Sequence, residues 1–349
     1  MLSNRYSDCI TTGWIQMHFH GNIQYVLRLI RWQNLLMVIL TMILMRYAIV
    51  EPLISKIGTI LLKGSGEELP MALQLPWYDF LILVMAAISI TAGGYIINDY
   101  FDIRTDLINR GEVIVGTKIP RRKAMLWHSI LNIIGVAAGF YVSARAGYFW
   151  FGTIFILITG LLYFYSASYK RQFLIGNLMV AVLTALVPVL AVLFEWAALY
   201  RYYSINAIFL PELKFLFYWV GGFALFAFLT TFIREIIKDT EDFEGDAAYG
   251  RNTLPVVIGI PASKTVSVVM IVLTIASLYL VWYFFINDKI TFIYLSVTVI
   301  IPLIYVIYRL LTSKEKKEIH VISGIMKLVM LAGILYAVVV KAIITWNLL

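Results

Sequence analysis

Long apolar stretches separated by short polar ones dominate the chain. Apolar runs occupy 34–54, 79–98, 123–143, 147–165, 172–194, 213–237, 263–286, 290–311 and 322–345. A helix needs about 20 predominantly apolar residues to cross roughly 30 Å of hydrocarbon, so each run predicts a membrane-spanning helix. The connections Ala144–Ala146 and Asn287–Lys289 are too short for anything but antiparallel neighbours. Longer polar connections are expected at 55–78, 99–122, 195–212 and 238–262. The pattern predicts an all-α polytopic membrane protein of about nine helices around one central cavity. A segment 1–33 precedes a single transmembrane domain, 34–349.

Composition agrees. Of 349 residues, 61% are hydrophobic and 14% charged, against about 25% charged in soluble domains. The net charge of +8 is read as positive-inside bias rather than a nucleic-acid footprint. Lys and Arg concentrate on the N-terminal segment and the connections after spans two, four, six and eight. That side is expected to be cytoplasmic, in a cell (inner) membrane. A single cysteine, Cys9, and four scattered histidines exclude a disulfide framework and a Cys/His metal site. Trp and Tyr near span ends, such as Trp77, Trp150 and Trp346, read as interfacial anchors.

The acidic residues are distributed far less evenly. Nine of the 20 Asp and Glu lie in two short stretches, N98-D-Y-F-D-I-R-T-D106 and E235-I-I-K-D-T-E-D-F-E-G-D246, each directly after an apolar run. Charge inside a bilayer costs about 3 kcal/mol even on lenient scales. The spacing places Asn98, Asp102 and Asp106 on one helical face, and Asp239, Asp242 and Asp246 on another. Like charges at such spacing repel unless something positive lies between them. Hard carboxylate oxygens suit Mg²⁺, which bridges one or two carboxylates to phosphates. Both stretches read D-x-x-D-x-x-x-D, with Asp99/Asp239, Asp102/Asp242 and Asp106/Asp246 each 140 residues apart. This offset predicts a duplicated four-span unit.

Basic residues follow the acids: Arg110, Lys118, Arg121, Arg122 and Lys123 after the first stretch, Tyr165, Tyr169, Lys170 and Arg171 after span four, and Arg234, Lys238 and Arg251 around the second. Topology alone accounts for most of them. Lys118 and Lys170 are best placed to neutralise a diphosphate. Arg31 and Asn34, at the entrance of span one, either reach a phosphate-bearing acceptor or cap the span. Gly93–Gly94 and Gly221–Gly222, in spans two and six, are expected to mark close helix packing. Lys327 is read as snorkelling from near one end of span nine.

Together the two aspartate-rich motifs, the nine-span layout and the YSASYKR segment resemble the UbiA-type intramembrane prenyltransferases. The resemblance implies Mg²⁺-dependent transfer of a prenyl group from an isoprenyl diphosphate to a lipophilic acceptor. It implies metal ligation by Asn98, Asp102, Asp106, Asp239, Asp242 and Asp246. It implies diphosphate contacts from Asn98 and Lys170, with Lys118 and Arg122 expected to join them from their place on the same side, and catalytic roles for Asp102, Asp242, Tyr165 and Lys170, with Tyr165 steering the allyl cation. The run from Arg234 to Gly259 resembles the lipid-making branch, which joins geranylgeranyl diphosphate to geranylgeranylglyceryl phosphate. An aromatic acceptor, as in quinone synthesis, is the alternative. A transporter is a third reading, although transporter sites usually lie near the midplane on broken helices. The loop N109-R-G-E-V-I-V-G-T-K-I-P-R-R122 lacks the proline-bearing pattern common in the family.

Overall fold

The computed structural model describes residues 23–63, 66–209 and 212–346. Of the expected N-terminal segment, 1–22 lie outside the described residues, and 23–29 are helical. Among the described residues, nine helical stretches are long and apolar enough to span a membrane: Trp32–Ser55, Trp77–Phe101, Arg121–Ala146, Phe149–Ala167, Ile175–Asn206, Phe215–Glu241, Ile260–Ile286, Lys289–Thr312 and Lys316–Thr345. Seven begin and end within about four residues of the apolar runs, and the ninth only starts earlier, on the polar KKEIH turn.

Span five is the exception. It continues to Asn206 and consumes much of the polar connection expected at 195–212. The extension is held by the loop between spans one and two. Glu195 accepts from the backbone N–H groups of Gln74 (2.7 Å) and Leu75 (3.1 Å), and the Tyr203 hydroxyl accepts from Ala72 N–H (3.1 Å). That loop contains a small antiparallel hairpin, Thr59–Leu61 with Glu68–Pro70. Glu195 is fully buried and pairs with buried Arg46 at 3.1 Å, whose guanidinium also lies over the Phe80 ring. A charge this deep is tolerable only when paired and hydrogen-bonded.

The tight turns follow residue chemistry. Gly147 ends span three at φ 92°, a conformation that costs glycine nothing. Asp288 starts span eight by accepting from Thr291 N–H at 2.7 Å. Gly94 sits where an added Cβ would meet Leu162 at 3.0 Å, so close packing holds for Gly93–Gly94. It does not hold for Gly221 and Gly222, which would meet nothing within 4 Å. Their role in span six is not helix contact.

The largest core cluster ties spans one, two, five and six together on the hairpin side, through residues such as Ile49, Leu83, Phe194 and Val220. A second joins spans six to nine around Ile233, Ile271, Leu303 and Met326. Spans two and six are thereby anchored by their hairpin-side halves, and the acidic motifs lie at their far ends.

Candidate active site

Both motifs interrupt their helices at the same position. Span two ends at Phe101 and a short helix, Ile103–Arg110, begins beyond Asp102. Span six ends at Glu241 and Phe243–Ala248 follows beyond Asp242. Asp102 stands at φ −91°, ψ 1° and Asp242 at φ −90°, ψ 9°, in the sparsely allowed bridge region where active-site residues recur. The single continuous helical face expected from the i, i+4 spacing is thus corrected to two helices hinged at the middle aspartate. The two breaks, 140 residues apart, share nearly the same dihedrals.

The hinged ends line one polar cavity, small and partly open, of about 40 Å³. From the first motif it is lined by Asn98, Asp102, Asp106 and Asn109, and from the second by Glu235, Lys238, Asp239, Asp242 and Asp246. Tyr165 and Lys170, from the end of span four, complete it with Asn177 and Arg251. All six expected metal ligands, together with Tyr165 and Lys170, therefore face one space. Lys118 and Arg122 do not line it. Lys118 lies over the Tyr25 ring, 5.4 Å from its centroid, and Arg122 is exposed at the start of span three.

The positive partner demanded by the spacing of like charges is present in duplicate. Lys170 Nζ donates to Asp102 Oδ1 at 2.5 Å and to Asn98 Oδ1 at 3.2 Å. Arg251 donates to the same Asp102 oxygen at 2.5 Å, to Thr105 at 2.8 Å and to Asp246 at 3.2 Å, so one guanidinium bridges both motifs. A further tie joins the short helices: Gly245 N–H donates to Asn109 Oδ1 at 2.9 Å. Deeper in, Asn177 Nδ2 donates to Asp239 Oδ2 at 2.7 Å. Sequence reasoning missed the roles of Arg251, Asn109 and Asn177. Arg251 was visible as a cation beside the second motif, whereas a lone Asn 62 or 136 residues from its partner carries no sequence signal.

Burial and charge pull these groups in opposite directions. Burial opposes ionisation of Asp102, but Lys170 and Arg251 outweigh it and hold the carboxyl at about 2. Burial lowers Lys170 to about 8 despite Asp102. Burial also raises Asp246 to about 6, an effect that Arg251 reduces and Asp242 reinforces. The carboxylates present an incompletely neutralised set of hard oxygens.

Mg²⁺ fits that set. Among the described residues no three carboxylate, imidazole or thiol groups converge into a ready-made cation cage. A Mg²⁺ bridging substrate phosphates requires none, because it takes one or two carboxylates and keeps several waters. Facing carboxylates on two helices are the complementary half of such a site.

Comparison with known proteins agrees with this geometry. Residues 70–331 match the UbiA prenyltransferase family. The digeranylgeranylglyceryl phosphate synthase of Methanosphaera stadtmanae is 31% identical over 257 residues, which cover 73% of this chain and 85% of that protein. A solved structure of digeranylgeranylglyceryl phosphate synthase superposes with a TM-score of 0.59 at 24% identity, covering 91% of this chain and 99% of its own. A UbiA homologue from Archaeoglobus fulgidus bound to GPP and Mg²⁺ gives 0.50 at 17%, covering 90% and 99%. These two likenesses speak to the fold. The chain is an integral membrane prenyltransferase, and it belongs to the UbiA prenyltransferase family.

Proposed function

We propose that this enzyme transfers a geranylgeranyl group from geranylgeranyl diphosphate to the free hydroxyl of geranylgeranylglyceryl phosphate, giving an ether-lipid precursor. The observation that carries the reading is the single polar cavity into which both aspartate-rich motifs, Lys170, Arg251 and Tyr165 project. The named relative supports the acceptor. The pole bearing the cavity faces the cytoplasm of a cell membrane, in keeping with its Lys- and Arg-rich connections.

Asn98, Asp102, Asp106, Asp239, Asp242 and Asp246 are the residues that would hold Mg²⁺. Bound Mg²⁺ supplies Lewis-acid stabilisation of charge on the departing diphosphate. Lys170 and Arg251 meet the diphosphate oxygens with charge-assisted hydrogen bonds. The allylic C–O bond breaks, and its electron pair leaves with the diphosphate. A lone pair of the acceptor hydroxyl forms the new C–O bond, and the hydroxyl proton passes to the released diphosphate. Tyr165 lines the cavity where the allyl cation develops, and its aromatic ring favours a cation nearby. Enclosure of the site limits quenching of that cation by water.

The test is transfer of radiolabelled geranylgeranyl diphosphate by purified protein to a panel of acceptors, with Mg²⁺ or excess chelator. The expected result is a labelled lipid with geranylgeranylglyceryl phosphate, and none in chelator. Transfer confined to aromatic acceptors, or persisting in chelator, overturns the reading.

A further inference from the structure

One carboxylate in the diphosphate cavity stands outside the D-x-x-D-x-x-x-D pattern. Glu235 lines the cavity beside Lys238, Asp239 and Tyr165 and is only 8% exposed. It precedes Asp239 by four residues, so it shares that face of span six, one turn and about 6 Å nearer the membrane interior. The aspartates of the two motifs pair at an offset of 140 residues, and the same offset from Glu235 falls on Tyr95. The Tyr95 ring carries the Arg31 guanidinium 4.8 Å from its centroid, beside a second cavity lined by Arg31, Asp99 and Lys327. The first motif thus has a tyrosine where the second has an acid.

Ion pairing leaves part of this carboxylate unused. Glu235 Oε1 accepts from Arg234 at 3.0 Å, and among the described residues its other oxygen makes no hydrogen bond. The other cations around it are Lys238, Arg31 and Lys327, and Arg31 already pairs with Asp99 at 3.1 Å. A buried carboxylate oxygen that faces a polar cavity calls for a donor. Tyr165 faces the same space, and of the charged groups around it Glu235 acts on it most strongly.

Depth gives the position a meaning. Phosphates held at Asp239, Asp242, Asp246 and Lys170 leave the prenyl tail to run toward the apolar interior. The first carbon of that tail then lies on the interior side of the aspartates, at the level of Glu235 and Tyr165.

We infer that Glu235 is the catalytic base that receives the hydroxyl proton of the acceptor. The inference rests on the hydroxyl acceptor proposed above and supplies the proton's route. As a lone pair of the acceptor oxygen forms the new C–O bond, the O–H bond breaks and its electrons stay on that oxygen, now an ether. The proton goes to the free Glu235 oxygen and from there to the released diphosphate, which restores the carboxylate. An ordinary carboxylate suffices, because bonding to a carbocation turns the hydroxyl oxygen into an oxonium, a far stronger acid than glutamic acid.

The test uses purified full-length protein in nanodiscs, with Glu235→Gln and Glu235→Asp. The donor carries an isotopically heavy oxygen in its bridging C–O position. Ionisation followed by return spreads that label over the oxygens of the same phosphate, so label exchange without acceptor reports bond cleavage separately from capture. Glu235→Gln is expected to slow transfer to geranylgeranylglyceryl phosphate about a hundredfold, the low end for loss of a general base, with label exchange within about threefold of wild type. The donor Kd measured with Mg²⁺ should stay within about twofold, and Glu235→Asp should regain about tenfold of the lost rate. Exchange that falls in step with transfer, or weakened donor binding, would place Glu235 among the metal and diphosphate ligands and overturn the inference. Unchanged transfer in Glu235→Gln would also overturn it. Should Glu235→Gln not fold, Glu235→Asp decides: slower transfer with exchange intact supports the inference, and any other result overturns it. Wild type that exchanges label yet transfers only to aromatic carbon acceptors would sink the proposed reaction instead, a result visible without either variant.

Discussion

The two aspartate-rich segments are copies in backbone and unequal in charge. Each helix breaks at its middle aspartate with nearly the same dihedrals, yet the side chains at the breaks meet different surroundings. Asp102 is buried and clamped by Lys170 and Arg251. Asp242 is half-buried and, among the described residues, its carboxylate makes no hydrogen bond or ion pair. Their leading aspartates diverge further. Asp99 pairs with Arg31 and lines the second cavity, whereas Asp239 accepts from Asn177 and lines the first. The two ledges share a backbone geometry, yet one is pre-neutralised by Lys170 and Arg251 and the other is open to an incoming cation.

That asymmetry is broken most severely at the middle aspartates. Asp242→Asn should reduce turnover by at least about a thousandfold, as expected for loss of a principal electrostatic group, while leaving the melting temperature in detergent near wild type. Asp102→Asn should match that loss and also destabilise the protein, because Lys170 and Arg251 are left with a buried charge uncompensated, at a cost of about 3–5 kcal/mol. Thermal unfolding of the two variants side by side checks the difference. Equal stability would mean that the clamp on Asp102 is incidental.

Arg251→Gln removes a side chain that touches both motifs, through Asp102 and Asp246. The expected fall in kcat/KM is about a hundredfold, with Arg251→Lys intermediate because a lysine cannot reproduce the guanidinium fork. Asn177→Ala addresses the second motif alone. Loss of its hydrogen bond to Asp239 should weaken apparent Mg²⁺ affinity about tenfold, the lower end of what groups orienting metal ligands contribute, and titration of activity with Mg²⁺ reads it. The mildest effect is expected from Gly245→Ala. Its Cβ would meet the Asn109 side chain at 2.5–2.6 Å, forcing the short helices apart at about 1–3 kcal/mol. Asn109→Ala in the same chain should recover part of the stability.

How far these features could be read in advance depended on the range of the interaction. Eight of the nine spans were legible because a bilayer imposes its own length on apolar runs. Span five was not, since its last three turns stay helical through Tyr203 and Glu195 bonding to a loop 120 or more residues away in sequence. The six acidic-motif ligands, Tyr165 and Lys170 were legible as local patterns, and the structure gathers all of them at one cavity. Lys118 and Arg122 share with the motifs only a connection after an even-numbered span, and that does not specify distance to a site. The hinge at Asp102 and Asp242 escaped notice because periodicity cannot distinguish a continuous helix from two helices that change axis between one carboxylate and the next. Gly221 and Gly222 carried the signature of close packing without the neighbour it presupposes.

The central claim is that both motifs hold one prenyl diphosphate through divalent cations in the cavity they enclose. A crystal structure with a non-ionising prenyl thiodiphosphate and Mn²⁺ in place of Mg²⁺ tests it directly. Anomalous peaks should appear between the diphosphate and carboxylates of both motifs, with Lys170 and Arg251 on phosphate oxygens. A diphosphate bound with cations on one motif only, or bound outside this cavity, would contradict the account.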